Sequence, residues 1–135
     1  MKDQNCIFCK IANGEIPAAT LYEDEDFRVI LDLGPASKGH ALILPKEHAA
    51  NLYELPDALA GKAMILAKKI ASKLSVALKC DGFNIVQNNG EAAGQTVFHF
   101  HIHLIPRYKG DTVNVTWQPG ILTEEDKKEI LEIFR

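Results

Sequence analysis

The feature that most constrains this chain is an alternating stretch at residues 97–107, in which His99, His101 and His103 occupy every second position. Apolar residues, Phe100 and Ile102, fill the positions between them. Strict alternation predicts a β-strand, because successive side chains of a strand point to opposite faces of the sheet. We therefore expect one face of this strand to carry a row of imidazoles and the other face to pack into a core.

Three interpretations of the imidazole row are open from the residues alone. A solvated face without function would leave the repeated use of a scarce residue unexplained. A single metal ion held by all three rings is strained, because residues on one strand face lie about 6.6–6.8 Å apart and zinc–nitrogen bonds are only about 2.0–2.1 Å long. The third interpretation is covalent catalysis, in which His101 attacks a substrate while its neighbours orient it and handle protons.

Further motifs accompany the row in a fixed order along most of the chain, roughly from Asn5 to Arg107. In chain order, the motifs are residues 6–11, Ile30-Leu31-Asp32, Gly39-His40, Leu44-Pro45-Lys46-Glu47-His48, Asn88-Asn89-Gly90 and Gly94-Gln95-Thr96-Val97. Together they resemble the histidine triad (HIT) family of nucleotide hydrolases and transferases, and the opening Cys-x-x-Cys segment resembles bacterial members of the Hint-like branch of that family.

The resemblance implies a set of catalytic residues. His101 is expected to be the nucleophile, forming a nucleotidyl-histidine intermediate, and His103 to contact the phosphate or the leaving group. His40 matches a fourth histidine that lies near the triad and helps to position it, although a surface or capping role is the alternative. The hydroxyl of Thr96 is expected to donate a hydrogen bond to the phosphate or the leaving atom.

The resemblance also implies a nucleotide pocket. The carboxylate of Asp32 is expected to accept hydrogen bonds from ribose hydroxyls. Backbone amides of a glycine-containing loop can approach a phosphate closely and bind it as an anion. The loop candidates are Asn88, Gly94, Gln95, Thr96 and Val97, beside His101 and His103, and the candidates for an apolar slot around a purine are Ile7, Phe8, Ile11, Phe27 and Leu31.

A second constellation predicts a metal site. Cys6 and Cys9 form a Cys-x-x-Cys pair, which together with two histidines makes an ordinary structural zinc set. The resemblance supplies the histidines, His48 and His99, and implies a structural zinc ion remote from bond breaking. The alternative is a pair of buried free thiols that pack as small hydrophobic side chains, which is also the role expected of Cys80.

Composition narrows the possible partners. The chain has 135 residues, about half of them hydrophobic, and a net charge of −3, so a single domain over residues 1–135 is expected and no basic surface suggests nucleic-acid binding. No apolar run approaches the roughly 20 residues needed to span a membrane. The first residues lack the apolar segment of a signal peptide, so we expect a cytoplasmic protein.

The pattern of strands and helices predicts an α+β fold. We expect about five strands in a mostly antiparallel sheet, with helices on one side. One long amphipathic helix is predicted from residue 56 to about residue 79, with short flanking helices that include a C-terminal one at about 123–134. The resemblance implies that two such chains form a homodimer.

These features together predict a hydrolase that cleaves at the α-phosphate of a purine nucleoside phosphoramidate, such as adenosine 5′-monophosphoramidate. A dinucleoside polyphosphate hydrolase is the nearest alternative. A zinc-stabilised nucleotide-binding or adaptor protein with little turnover and a metallohydrolase with zinc at the triad are also open.

Overall fold

The computed structural model describes residues 2–135. Five strands form one sheet in the order β1-β2-β3-β5-β4, and every neighbouring pair is antiparallel. This confirms the predicted α+β architecture. The elements are α1 Ile7–Ala12, β1 Thr20–Glu23, β2 Phe27–Leu31, β3 Ala41–Pro45, α2 Asp57–Leu78, β4 Gly82–Val86, a 3₁₀ turn at Glu91–Ala93, β5 Ile102–Arg107 and α3 Glu124–Ile133.

Helix α2 covers one face of the sheet with its apolar side. Its buried positions recur at three- and four-residue spacing, as an amphipathic helix requires. Lys79 closes the helix in a left-handed conformation, with a φ of 52°. The main core lies between this helix and the sheet, and its members include Ala63, Leu66 and Ala67 of α2, Phe27 and Val29 of β2, Ala41 and Ile43 of β3, and Phe100, Ile102 and Leu104.

Helix α1 covers the opposite face, so the expectation of helices on one side of the sheet is wrong. The side chains of β3 alternate between the two layers: Ala41 and Ile43 join the core under α2, whereas Leu42 and Leu44 pack with Ala12 of α1. Amphipathic periodicity identifies each helix, but it does not say which sheet face a short helix will cover.

The imidazole row is only partly in a strand. β5 begins at Ile102, so His99 and His101 precede it in a segment outside the sheet, with a bend at residues 97–99. The N–H of Phe100 donates instead to the carbonyl of Ala49, at 2.7 Å. The alternation of faces nevertheless holds, because Phe100 and Ile102 enter the core under α2 while His103 pairs in register with Leu42 on the α1 face.

The C-terminal part of the chain leaves the sheet after Arg107, where the guanidinium makes two hydrogen bonds to the carboxylate of Asp111. Helix α3 starts as predicted, with the hydroxyl of Thr123 accepting the N–H of Asp126. None of its residues is buried, and its neighbour Trp117 is 82% exposed. No helix within residues 2–135 is long and apolar enough to cross a membrane.

Candidate active site and adjoining metal-ligand cluster

A cavity of about 720 Å³ lies on the α1 face of the sheet. It brings together most of the residues that the sequence assigned to the nucleotide: Ile7, Phe8, Ile11, Leu31, Asp32, Thr96, Val97, His101 and His103 all line it. Phe27 does not, because its ring is buried in the core under α2. Apolar residues of α1, of residues 16–19 and of β2 line the cavity, together with two imidazoles and one carboxylate.

His101 is held in the tautomer that a nucleophile needs. Its Nδ1 lies 2.7 Å from the carbonyl oxygen of His99. A carbonyl oxygen only accepts hydrogen bonds, so Nδ1 carries the proton and Nε2 keeps its lone pair. Burial lowers the pKa of His101 below its ordinary value, although the bond to His99 and the charge of Asp32 oppose this. The ring is therefore neutral near pH 7, with Nε2 free to attack.

His40 and His103 form a hydrogen-bonded pair with a defined direction. The N–H of Ala36 donates to Nδ1 of His40 at 2.9 Å, which places the His40 proton on Nε2. That nitrogen lies 3.0 Å from Nδ1 of His103, which must accept, so His103 carries its own proton on Nε2. Burial lowers the pKa of His103 to about 4 and also lowers the pKa of His40. Both rings are neutral, and His103 is a hydrogen-bond donor.

Asp32 completes this end of the cavity. One carboxylate oxygen accepts the N–H of Gly34 at 2.9 Å, and the other lies 3.5 Å from Nε2 of His40. Asp32, His40 and His103 are close enough together to share a metal ion. The amide of Ala36 argues against one, because a metal on Nε2 of His40 would force a proton onto Nδ1, facing another N–H donor. The geometry favours a chain of hydrogen bonds over the metallohydrolase alternative.

Cys6, Cys9, His48 and His99 converge beside α1, with their ligand atoms all within 4.8 Å of one another. The helix supplies the first two: Cys6 is its N-cap residue, and its sulfur accepts the N–H of Cys9, one turn later. The Cys9 sulfur is 3.3 Å from Nδ1 of His48 and 3.4 Å from Nδ1 of His99, and the Cys6 sulfur is 3.3 Å from His99. Neighbouring ligands of a tetrahedral zinc ion are about 3.5 Å apart at standard bond lengths.

The hydrogen bonding of the cluster also fits a metal. Nε2 of His99 lies 2.8 Å from the carbonyl of Pro45, so it carries the proton and Nδ1 presents a lone pair to the two sulfurs. The ring is fully buried, and burial lowers its pKa to about 4. Nε2 of His48 faces the carboxylate of Asp3 at 4.0 Å, an outer partner of the kind that orients ligating histidines. Cys80 lies elsewhere, with Ser75 as its partner.

The loop before the histidines contains two kinds of residue. Gln95 is 2% exposed and fully engaged: its side chain bonds the carbonyls of Ala50 and Val97 and the N–H of Gly90, and its own N–H donates to the carbonyl of Gly90. In this structure its backbone N–H, which was expected to bind phosphate, and its side chain all have partners within the chain, so Gln95 acts as an internal brace of the loop.

Two other loop candidates also shape the loop from within. Gly94 has a φ of +100°, which favours glycine, and its N–H donates to the carbonyl of Glu91. The side chain of Asn88 packs beside Gly94, outside the cavity lining. No hydrogen bond within the described residues engages the N–H groups of Thr96 and Val97, and both residues line the cavity, so these amides can bind a ligand there.

Several groups that define the site were not found by sequence reasoning. Most are backbone atoms: the amide of Ala36 and the carbonyl of Pro45. A backbone group leaves no trace in residue type, so no sequence signal could have found them. One side chain was also missed: the carboxylate of Asp3, which lies three residues before Cys6 in the sequence and faces His48.

Comparison with known proteins agrees with this geometry. A family model described as the HIT domain matches residues 13–110. Protein hit of Bacillus subtilis is 47% identical over 116 residues, which cover 85% of this chain and 80% of that protein. Adenosine 5′-monophosphoramidase HNT1 of Saccharomyces cerevisiae is 42% identical over 125 residues, which cover 93% of this chain and 77% of that protein.

Solved structures extend the similarity to the whole fold. A HIT family protein from Bacillus anthracis matches with a TM-score of 0.89 at 40% identity, over 97% of this chain and 95% of that chain. A zinc-bound histidine triad family protein from Mycobacterium smegmatis matches with a TM-score of 0.77 at 36% identity, over 97% and 98% of the two chains. The motif match, the similarity in sequence and the shared fold show that this chain belongs to the histidine triad family.

Proposed function

We propose that this protein is a nucleotide hydrolase that cleaves at the α-phosphate of a purine nucleoside phosphoramidate through a nucleotidyl-histidine intermediate. The observation that carries the proposal is the tautomer of His101, whose Nε2 lone pair is kept free by the carbonyl of His99. His101 lines the same cavity as Asp32. The similarity to the yeast adenosine 5′-monophosphoramidase supports the choice of substrate.

The reaction divides into two displacements at phosphorus. In the first, Nε2 of His101 forms a bond to the α-phosphorus while the phosphorus–nitrogen bond breaks, and the leaving nitrogen departs as an amine after taking one proton from solvent. In the second, water attacks the phosphorus, the bond to His101 breaks, and a proton returns to solvent. No group must remove a proton from His101 before it attacks, because the lone pair is already available.

Donors around the cavity would stabilise the charge that develops on the phosphoryl oxygens and the leaving nitrogen. His103 offers its Nε2–H, and Thr96 offers its hydroxyl. The backbone amides of Thr96 and Val97 can bind a non-bridging oxygen. Preorganised donors of this kind are commonly the largest electrostatic contribution to such a reaction.

The rest of the nucleotide fits the same cavity. The free face of the Asp32 carboxylate can accept both ribose hydroxyls, and the apolar wall of α1 can cover a purine. The wall residues Ile7, Phe8 and Ile11 are all only partly shielded or exposed, which leaves apolar surface for a ligand to cover.

We further propose that the Cys6–Cys9–His48–His99 cluster holds a structural zinc ion. Zinc, when bound, would tie α1 to the segments that carry His48 and His99 and take no part in bond breaking. The donor set and its spacing support this, as does the zinc-bound relative from Mycobacterium smegmatis.

A homodimer in the cytoplasm completes the proposal. Strand β4 ends the sheet, and the C-terminal segment carries exposed apolar side chains, both of which suit contact with a second copy. The three cysteines are all free thiols, as expected in a reducing compartment.

Hydrolysis of adenosine 5′-monophosphoramidate by the native protein and by the variant His101→Ala tests the function. We expect the variant to lose at least about 10³-fold in kcat while remaining folded and still binding AMP, because the covalent route is lost and the other residues of the cavity remain. Mass spectrometry of the native protein quenched during turnover should show one added nucleotidyl group, absent from the variant.

Other outcomes would change the conclusion. Equal turnover by the two proteins would remove His101 as the nucleophile. A native protein that binds AMP but turns over neither the phosphoramidate nor a dinucleoside polyphosphate would be a binding or adaptor protein. Cleavage of the dinucleoside polyphosphate alone would move the substrate class and leave the nucleophile in place.

A further inference from the structure

Helix α1 lies between the metal-ligand cluster and the cavity and belongs to both. It supplies Cys9 to the cluster, with Cys6 as its N-cap, and Phe8 to the wall of the cavity. The helix has only six residues, and a helix of that length is not stable by itself in water. Its position must therefore be set by what it is attached to.

Apolar packing holds one side of the helix against the sheet, through the apolar residues of α1. Outside the metal-ligand cluster, few side-chain hydrogen bonds add to this packing. The guanidinium of Arg28 donates to the carbonyl of Ile11 at 3.0 Å. The side-chain amide of Asn13 joins the carbonyls of Cys9 and Lys46, at 2.9 and 3.1 Å. These bonds reach Cys9 and the residues after it, so the side-chain hydrogen bonds at the N-terminal end of the helix are those of the metal-ligand cluster.

Phe8 connects the helix directly to the nucleophile. Its ring meets the ring of His101 edge-on, with centroids 5.0 Å apart and planes at 90°. It also contacts the ring of His99, with centroids 6.1 Å apart. His99 gives a second connection, because its ring faces the sulfurs while its backbone carbonyl holds Nδ1 of His101. Two short paths thus run from the cluster to His101.

We propose that Phe8 is a positioning residue for His101 and that occupancy of the Cys6–Cys9–His48–His99 cluster by zinc sets its position, so that zinc and the nucleotide bind with positive cooperativity. The inference rests on the proposed nucleotide site. It goes beyond a structural zinc ion, because it makes the metal a determinant of nucleotide affinity. Linkage requires the effect to be reciprocal: the nucleotide must tighten zinc by the same factor.

The test measures zinc affinity by competition with a fluorescent chelator, with and without saturating AMP. A protein-free titration corrects for the zinc that AMP itself binds. We expect AMP to tighten zinc about fivefold or more in the native protein, within the usual range of such couplings. In Phe8→Leu, which keeps an apolar side chain but has no ring edge, the ratio should fall towards one while one zinc ion is still bound. Cys80→Ser, outside the cluster, should keep the native ratio.

Each contrary result has a distinct meaning. A native ratio of one, with AMP bound, overturns the cooperativity and leaves the proposed function intact. A native ratio that Phe8→Leu does not change removes Phe8 as the connection. A chain that binds no zinc overturns the inference, and the phosphoramidate assay still decides the function. Failure of the native protein to bind AMP overturns both. Should Phe8→Leu not fold, Phe8→Met replaces it, and the native pair of titrations decides the cooperativity alone.

Discussion

Two histidines that are two residues apart carry their protons on opposite ring nitrogens. His99 has its proton on Nε2 because it faces the carbonyl of Pro45, and His101 has its proton on Nδ1 because it faces the carbonyl of His99. One therefore offers Nδ1 to a metal and the other offers Nε2 to phosphorus. The different chemistry proposed for two identical residues depends on two backbone carbonyls.

Burial of these neutral rings predicts an acid-sensitive fold. The pKa values of His99 and His103 are lowered to about 4, from about 6.5 in an unfolded chain. Between pH 6.5 and 4 the unfolded chain binds protons that the folded metal-free protein does not, so the free energy of unfolding should fall by a few kcal/mol as the pH falls through this window, and be nearly constant above it. Urea denaturation of the metal-free protein at a series of pH values measures this.

The variant His103→Asn provides the control for that series. Asparagine does not titrate, so the free energy of unfolding of the variant should fall less over the same pH window than that of the native protein. An identical fall in both proteins would mean that His103 is not one of the groups responsible.

At the scale of elements, the sequence located most helices and strands correctly because their apolar spacing is regular. It placed the start of β5 too early, since alternation reports the face on which a side chain lies and not the partner of each backbone amide. Phe100 alternates perfectly yet bonds to Ala49, in a loop. The brace formed by Gln95 was missed for a related reason: residue type does not reveal whether an amide side chain in a polar loop points inward.

The turn that precedes β3 and positions His40 requires a glycine. Gly39 has a φ of +92°, and a Cβ there would lie 2.5 Å from a methyl carbon of Leu78 and 3.2 Å from the ring of Pro106. Gly39→Ala should therefore lower the free energy of unfolding by roughly 1–3 kcal/mol through backbone strain, plus the cost of moving Leu78. Chemical denaturation measures the loss.

Gly90→Ala is the matched control for this prediction. Gly90 has nearly the same φ, +93°, but a Cβ there meets nothing within 4 Å. A larger loss at Gly39 than at Gly90 would indicate a steric contribution from Leu78 and Pro106. Equal losses would show that only the backbone conformation matters and that α2 does not press on the turn.

The sheet is packed on both faces, whereas the C-terminal segment of the molecule is exposed. Both faces of the sheet are packed, one by α2 and the other by α1 and the cavity. The C-terminal segment, by contrast, packs against little: α3 has no buried residue, and apolar side chains of the segment are exposed. The most exposed of these are Trp117, Ile121, Leu122, Ile133 and Phe134.

We predict that this segment contributes to the proposed homodimer. Sedimentation analysis should find the native protein as a dimer, and a variant that ends at Gly120 should dissociate at concentrations where the native protein does not, because part of the apolar contact is lost. Lys128→Ala, an exposed change on α3, should leave the dimer intact. A native protein that is monomeric throughout the concentration range would contradict the prediction.

Strand β3 limits how this sequence can change length. Its five residues are all buried, and they alternate between two different layers. Inserting or deleting one residue in the strand would send Leu42 and Leu44 towards α2, bring Ile43 under α1, and turn His40 away from His103. Substitutions that keep the size of a side chain can therefore be accepted within the strand, whereas the number of residues from His40 to Pro45 cannot change.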